Sequence, residues 1–250
     1  MKRNVFFAYG LVAYLCFLAT FLYAIGFVEN RIVPKSIDSG DAGPLGTAIL
    51  INVLLLGLFG MQHSIMARPA FKKWWTRFVP QPIERSTYVL ATCIVLPLMM
   101  WQWRPIATPI WQLDQSWAVA LLTGLSYAGW LLVLYSTFVI DHFDLFGLRQ
   151  VYLQLRGVEY TNPKFQVKTV YRFVRHPLML GFLIAFWATP HMSGGHLLFA
   201  IVTTAYILVG IMIEEHDLLA ILGPDYAEYR RRTPMLLPFT KRVAAEVLTP

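Results

Sequence analysis

The stretch LMLGFLIAFWATPHMSGGHLLFAIVTTAYILVGIMI, residues 178–213, contains no Asp, Glu, Lys or Arg. Arg175-His176-Pro177 precedes it and Glu214-Glu215 follows it. A spanning helix needs about 20 apolar residues, so the stretch has room for two rather short ones. Pro190 and Ser193-Gly194-Gly195 favour a turn in its middle. The resulting helical hairpin would bring the charged residues at its two ends to one face of a membrane.

The composition of the whole chain indicates the same environment. Of 250 residues, 57% are hydrophobic and 14% charged, and the mean hydropathy is +0.53, which is typical of a polytopic membrane protein. Four further uncharged stretches have near or more than the spanning length: 5–28, 42–67, 86–103 and 115–140. The first of these stretches, 5–28, is longer than the apolar region of a usual signal peptide, and we interpret it as a helix that is retained. We therefore predict an all-α membrane helix bundle with five to six transmembrane helices.

The distribution of basic residues predicts the orientation of the chain. With six spans and an inner N-terminus, all but three of the 21 Lys and Arg lie on inner segments; the exceptions are Arg31, Lys35 and Arg104. Basic residues near helix ends resist translocation, so both termini are predicted cytoplasmic, in a bacterial inner membrane. The same rule explains the net charge of +7. Anionic membrane lipid is the expected counter-charge, and nucleic acid is not needed as a partner.

Two regions follow from the order of these segments. Residues 1–140 would form four spans and an amphipathic interfacial helix at 69–80, whose aromatic residues recur with helical spacing. Residues 141–250 would form a catalytic region with an inner loop, the helical hairpin and a cytoplasmic cofactor pocket. The sequence has no Gly-rich nucleotide fingerprint. Cys16 and Cys93 have no metal-type spacing, so no metal site or disulfide framework is predicted.

The motif Arg175-His176-Pro177 is the first candidate for chemistry. Proline suits the first position of a helix, where backbone N–H groups without a helical partner bind anions such as carboxylates. Arg175 adds a cation at that point. On three residues alone, the alternative remains open that the arginine is a membrane anchor and His176 a polar helix end.

Acidic and aromatic residues after the hairpin are the second candidate. Glu214 and Glu215 would lie near a helix C-terminus, where each carboxylate costs up to about 1 kcal/mol, so a cationic ligand or an arginine is expected nearby. Tyr226 and Tyr229 share a helix face and could hold a sulfonium or flank an adenine ring. A solvated acidic cluster and ordinary interfacial tyrosines are the alternatives.

Several motifs together carry a resemblance to known membrane enzymes. RHPLMLG at 175–181, through EEHDLLAILGPDYAEYRRRTPMLLP at 214–238, resembles the superfamily of isoprenylcysteine carboxyl methyltransferases and phospholipid methyltransferases, although Met179 replaces its common tyrosine. QHS at 62–64, ERSTY at 84–88 and HFDLFGLRQ at 142–150 resemble the branch of integral-membrane methanethiol S-methyltransferases, which are related to NnrU-type proteins.

The resemblance implies a function and a set of site residues. S-adenosylmethionine would donate a methyl group to methanethiol, a small thiol, and dimethyl sulfide would be the product. The implied cofactor-binding residues are Arg175, His176, Pro177, Gly181, Glu214, Glu215, Tyr226, Tyr229 and Arg230. The implied acceptor-side residues are His63, Tyr88 and Phe143. His142 or His176 would accept the thiol proton, with Glu214 as the second choice, because imidazole titrates near neutral pH. Gly181 would allow close approach of the cofactor or of a neighbouring helix.

Other functions remain open at this point. The methyl acceptor could be a prenylcysteine carboxylate or a lipid amine. Sterol-type reductases have a somewhat similar C-terminal region but would need a nicotinamide cofactor. An NnrU-like accessory or transport protein would bind no S-adenosylmethionine. Every methyltransferase hypothesis requires Arg175 and the two glutamates to lie close together in the folded protein.

Overall fold

The computed structural model describes residues 1–162, 165–238 and 240. The elements, in chain order, are α1 (Lys2–Val28), α2 (Leu45–Ala67), α3 (Pro69–Trp75), α4 (Gln81–Gln102), β1 (Pro109–Gln112), α5 (Ser116–Ile140), α6 (His142–Leu145), α7 (Leu148–Arg156), a 3₁₀ turn (Thr169–Arg172), α8 (Pro177–Trp187), β2 (His191–Ser193), α9 (Gly194–Leu222) and α10 (Pro224–Arg232). The predicted all-α membrane bundle is confirmed, because α1, α2, α4, α5 and α9 are long and apolar enough to span a membrane. The end of the predicted 141–250 region, including residues 241–250, lies outside the described residues.

The uncharged stretch at 178–213 forms a hairpin of two unequal helices. The 11-residue α8 is about 16 Å long, well short of a hydrocarbon core of about 30 Å. The 29 residues of α9 exceed that thickness. Between them, the Pro190 region turns as predicted and leads into β2. Within the described residues, the bundle therefore has five helices of spanning length and the short α8.

A short antiparallel strand pair closes one end of the bundle and was not predicted. β1 precedes α5 and β2 precedes α9, with Pro109 opposite Ser193 and Gln112 opposite His191. The hydroxyl of Ser193 also donates a hydrogen bond to Asp38 in the loop between α1 and α2. We call this end of the bundle the sheet end, and the end that carries Arg175 the site end.

The predicted interfacial helix at 69–80 was too long. α3 ends at Trp75, and Arg77 and Phe78 continue as turns whose N–H groups bond to the carbonyls of Trp74 and Trp75. The Thr76 hydroxyl donates to the Lys72 carbonyl at 2.8 Å, and such local bonds compete with helical ones. The predicted aromatic cluster is nevertheless present, since Trp74 contacts Phe78 with ring centroids 5.6 Å apart.

Two apolar clusters position the site. The larger joins α1, α4, α5, α8 and α9 and includes Phe27, Trp103, Trp130, Phe186 and Phe199. The smaller lies nearer the site end, where Ile207 and Ile211 of α9 pack against α8 and against Leu236 after α10. Burial of large aromatic side chains stabilises the bundle, and the smaller cluster fixes the first half of α8 beside the middle of α9.

Candidate active site

Arg175 and Glu215 form a buried ion pair at the site end. The Nε and Nη2 atoms of Arg175 each lie 2.7 Å from Oε1 of Glu215. The two residues are only 7% and 5% exposed. The expectation that these two distant stretches meet is therefore confirmed. A buried pair of this geometry holds the start of α8 against α9 through charge-assisted hydrogen bonds.

Two further cationic or basic side chains converge on the same carboxylate. His176 Nε2 lies 3.0 Å from Oε1 of Glu215, and Arg230 Nε lies 3.1 Å from Oε2. His176 is buried, whereas the side chain of Arg230 is about half exposed. Glu215 thus links α8, α9 and α10. We call Arg175, His176, Glu215 and Arg230 the ion cluster.

The segment after α10 closes over the start of α8. The backbone N–H groups of Arg175 and His176 donate to the carbonyls of Pro234 and Met235, at 2.9 and 3.2 Å. The guanidinium of Arg175 also donates to the carbonyl of Thr233. The N–H groups just before Pro177 are therefore occupied by the protein itself. Arg175 therefore links the start of α8 to α9 and to the segment after α10. Its role in binding a cofactor carboxylate stays a prediction.

Glu214 differs sharply from its neighbour Glu215. Its side chain is 47% exposed, and its Oε2 lies 3.7 Å from Nδ1 of His176. Tyr171 is also near, since burial and then the charge of Glu214 raise the pKa of its hydroxyl. Consecutive helical residues point about 100° apart, so one acid can be locked in the ion cluster while the next faces open space. Glu214 is the carboxylate that remains accessible to a ligand.

The two predicted tyrosines lie beside the ion cluster. Tyr226 and Tyr229 contact each other with ring centroids 5.9 Å apart, and the Tyr229 hydroxyl donates to the carbonyl of Tyr171 at 2.7 Å. The buried Tyr226 hydroxyl has no hydrogen-bond partner among the described residues. Burial raises the pKa of Tyr226 to about 12, so it stays protonated and can donate. A groove of about 370 Å³ borders this face, lined by Phe165, Val167, Arg172, Asp225, Glu228, Tyr229, Arg232 and Thr233.

Gly181 allows close packing between two helices. A Cβ on Gly181 would lie 2.7 Å from the carbonyl oxygen of Gly129 in α5, and a Cβ on Gly129 would lie 2.6 Å from that of Gly181. Of the two roles expected for Gly181, the structure shows the approach of a neighbouring helix. Pro177 stands at the first position of α8 as predicted, where its missing N–H costs nothing.

The acceptor-side residues fall into two separate groups. His63 of α2 and Tyr88 of α4 are joined by a hydrogen bond of 2.9 Å. His63 also stacks on Phe59, which contacts Tyr206 of α9. Phe143 lies instead beside His142 after α5, with ring centroids 5.3 Å apart. Tyr206 was missed by sequence reasoning, because an interior helix tyrosine has no local signal that sets it apart.

His142 is held in a pocket of its own. It is 3% exposed, and its ring nitrogens lie 2.9 Å from the Tyr14 hydroxyl and 2.8 Å from the Thr137 hydroxyl. Its ring stacks on Phe138 at 4.2 Å. No hydrogen bond or ion pair in the described part of the chain links it directly to the ion cluster. Its catalytic role therefore stays a prediction, while its structural role is clear.

We expect His142 to make stability depend on pH. Burial lowers the pKa of its imidazole below the unfolded value of about 6.5. The folded protein favours the neutral ring. The contribution of His142 to the free energy of unfolding is therefore complete above pH of about 6.5 and is lost as the pH falls below that value. The Tm in detergent should fall on acidification, and His142→Gln should weaken this dependence. The control His191→Gln changes an exposed histidine at the sheet end. An unchanged pH slope in the His142 variant would refute the assignment.

The fold and the ion cluster define a polytopic helical membrane protein with a charged site at one end of its bundle. The model of the family described as "NnrU protein" matches residues 50–235, which include most of α2, the ion cluster and the start of the segment that closes over it. The chain belongs to the NnrU protein family.

Individual relatives are similar over most of the chain. A protein of Mycobacterium tuberculosis named methanethiol S-methyltransferase is 55% identical over 242 residues, covering 97% of this chain and 99% of its own. Methanethiol S-methyltransferase 2 of Bradyrhizobium diazoefficiens is 56% identical over 230 residues, covering 92% and 88%. Nurim of Bos taurus is 30% identical over 174 residues, covering 66% and 65%. No solved structure matches the chain.

Proposed function

We propose that this protein is an integral-membrane methyltransferase that uses S-adenosylmethionine to convert methanethiol to dimethyl sulfide. The observation that carries the proposal is near full-length similarity, at 55% identity, to a protein named methanethiol S-methyltransferase. This similarity extends through both the helices and the charged site end. The alternatives with a prenylcysteine carboxylate, a lipid amine or no cofactor have no comparable support.

The residues at the site end suit the cofactor in charge and hydrogen bonding. The exposed carboxylate of Glu214 can face a cationic sulfonium or amino group, and the unpartnered hydroxyl of Tyr226 can donate to a carboxylate or ring nitrogen. Arg230, at the edge of the ion cluster, adds positive charge for an anion. When bound, S-adenosylmethionine would supply a methyl group whose bond to the sulfonium sulfur breaks with the electron pair staying on that sulfur.

The protein itself must deprotonate and orient the thiol. The thiolate is the nucleophile, so the S–H proton has to leave before or during the formation of the new C–S bond. Glu214 is accessible and lies beside the buried His176, with 3.7 Å between Oε2 and Nδ1, so the two can act as an acid–base pair. His142 suits this task less well because both of its ring nitrogens already have partners. Positioning and exclusion of water supply most of the remaining rate gain.

The orientation and location in the cell complete the proposal. The site end carries α3 with Lys72 and Lys73, and α10 with Arg230, Arg231 and Arg232. By the positive-inside rule this end faces the cytoplasm of a bacterial inner membrane, with both termini on the same side. The cofactor would then enter from the cytosol, and the volatile thiol from either the cytosol or the bilayer.

Replacing Glu214 by Gln should weaken cofactor binding without unfolding the protein. The amide keeps the shape but removes the charge that faces the cationic groups, so we expect affinity for S-adenosylmethionine to fall at least about tenfold. Titration calorimetry in detergent measures this. The control Asp114→Asn removes an exposed acid near the sheet end and should change nothing.

Product assays separate the competing acceptors. Purified protein is offered methanethiol, a prenylcysteine analogue or phosphatidylethanolamine together with S-adenosylmethionine. Formation of dimethyl sulfide alone supports the proposal. Absence of S-adenosylmethionine binding in the unmodified protein would instead favour an accessory role.

A further inference from the structure

The inward face of α9 is partly open near the site end. Thr203, Ile207, Ile211 and Glu215 bury this face between residues 203 and 215. At Gly210, however, no atom of the described residues lies within 4 Å of a Cβ placed on the backbone. Glu214, one turn further on, is also exposed. Open space that can hold at least a methyl group therefore adjoins the accessible carboxylate.

Two contacts with α2 flank this space. On its sheet side, the Tyr206 hydroxyl lies 3.2 Å from the Ser64 hydroxyl, and the Tyr206 ring reaches α2 beside Gly60. On its site side, Arg68 and Asp217 form an ion pair of 2.8 Å. Tyr206 and Asp217 point in nearly the same direction from α9. The α2–α9 interface is thus closed above and below Gly210.

The space lies between helices and does not face lipid. Viewed along the axis of α9, the side-chain direction at Gly210 is rotated by about 40° from that of Tyr206, and the direction at Glu214 by about 80°. Ile207 lies about 100° from Tyr206 in the same sense of rotation. Ile207 and Ile211 pack against Met179 and its neighbours in α8. The opening therefore falls between the strip of α9 that contacts α2 and the strip that contacts α8. A carboxylate facing hydrocarbon would be costly, whereas one facing an interior cavity is available for chemistry.

We infer that the thiol acceptor binds over Gly210, between Tyr206 and Glu214, and that Gly210 sets the size of the acceptor. This inference rests on the proposed function. The thiol's methyl group would contact the Tyr206 ring. Its S–H proton would pass to the Glu214 carboxylate, and the sulfur would keep the electron pair that forms the new C–S bond. Room for one small substituent selects a short alkyl thiol over a lipid-sized acceptor.

Substitutions at Gly210 test this directly. Gly210→Leu should lower kcat/KM for methanethiol by about tenfold to about a hundredfold, the range expected when a pocket loses a methylene-sized volume or more. Affinity for S-adenosylmethionine, measured by calorimetry, should stay within about twofold, because Glu214, the carboxylate proposed to face the cationic groups of the cofactor, is unchanged. The control Gly124→Leu adds the same side chain at an exposed position of α5 with open space around it.

A smaller substitution and a substrate series keep the test decisive. Gly210→Ala should reduce turnover of ethanethiol and 1-propanethiol more than that of methanethiol, which a merely structural effect would not do. Unchanged methanethiol kinetics in Gly210→Leu, or equal losses for all three thiols in Gly210→Ala, would overturn the inference. Failure of the unmodified protein to methylate any thiol would overturn the proposed function, and the acceptor site with it.

Discussion

Glu215→Gln should abolish methyl transfer and strongly destabilise the protein. Arg175 would keep its charge at 7% exposure but lose the carboxylate that its Nε and Nη2 atoms contact at 2.7 Å. Removing one partner of a buried ion pair leaves an uncompensated charge and costs about 3–5 kcal/mol. His176 and Arg230 lose the same acceptor. The Tm in detergent and the affinity for S-adenosylmethionine should therefore fall together.

The matched control for this experiment is Glu159→Gln. Glu159 is an exposed acid in the loop after α7, so the same change of charge should leave both quantities within error. Comparison with Glu214→Gln adds a second contrast, since that variant should lose affinity and keep its Tm. A Glu215→Gln protein with normal Tm would contradict the view that the ion cluster holds α8, α9 and α10 together.

The meeting of Arg175 with an acid could be predicted because charges that bracket an apolar hairpin return to the same membrane face. The sequence could not tell which acid is buried. Glu214 and Glu215 are adjacent and chemically identical. Ile207 and Ile211 pack against α8 and so fix the rotation of α9 about its axis. This rotation directs Glu215 into the ion cluster and Glu214 into open space.

Features that depend on packing between distant segments were not predictable in this way. The β1–β2 pair joins two short segments about 80 residues apart. Segments this short have no periodicity from which a strand could be predicted. The Tyr206–Ser64 contact depends on the crossing of α2 and α9. His142 carries a polar signal in sequence, but its two hydrogen bonds, to Tyr14 and Thr137, are visible only in three dimensions.

Gly129→Leu should prevent α8 from packing on α5 and thereby remove activity without touching a charged residue. A Cβ at this position would lie 2.6 Å from the Gly181 carbonyl oxygen and 2.7 Å from the Ala185 backbone nitrogen. Backbone atoms cannot rotate away as a side chain can, so the helices must separate. Small residues are what allow such close helix approach inside membranes. Overpacking of this kind typically costs about 1–3 kcal/mol and occasionally more.

The consequence for function follows from the position of α8. Arg175 and His176 immediately precede Pro177, its first residue, so a displaced α8 moves both away from Glu215 and disrupts the ion cluster from a distance. Thermal unfolding in detergent should show a lowered Tm for Gly129→Leu, and for Gly181→Ala to a smaller degree. Gly124→Leu, on the exposed side of the same helix, should unfold normally. A stable and active Gly129→Leu protein would mean that α8 is held by the ion cluster alone, and that the glycine contact with α5 contributes nothing.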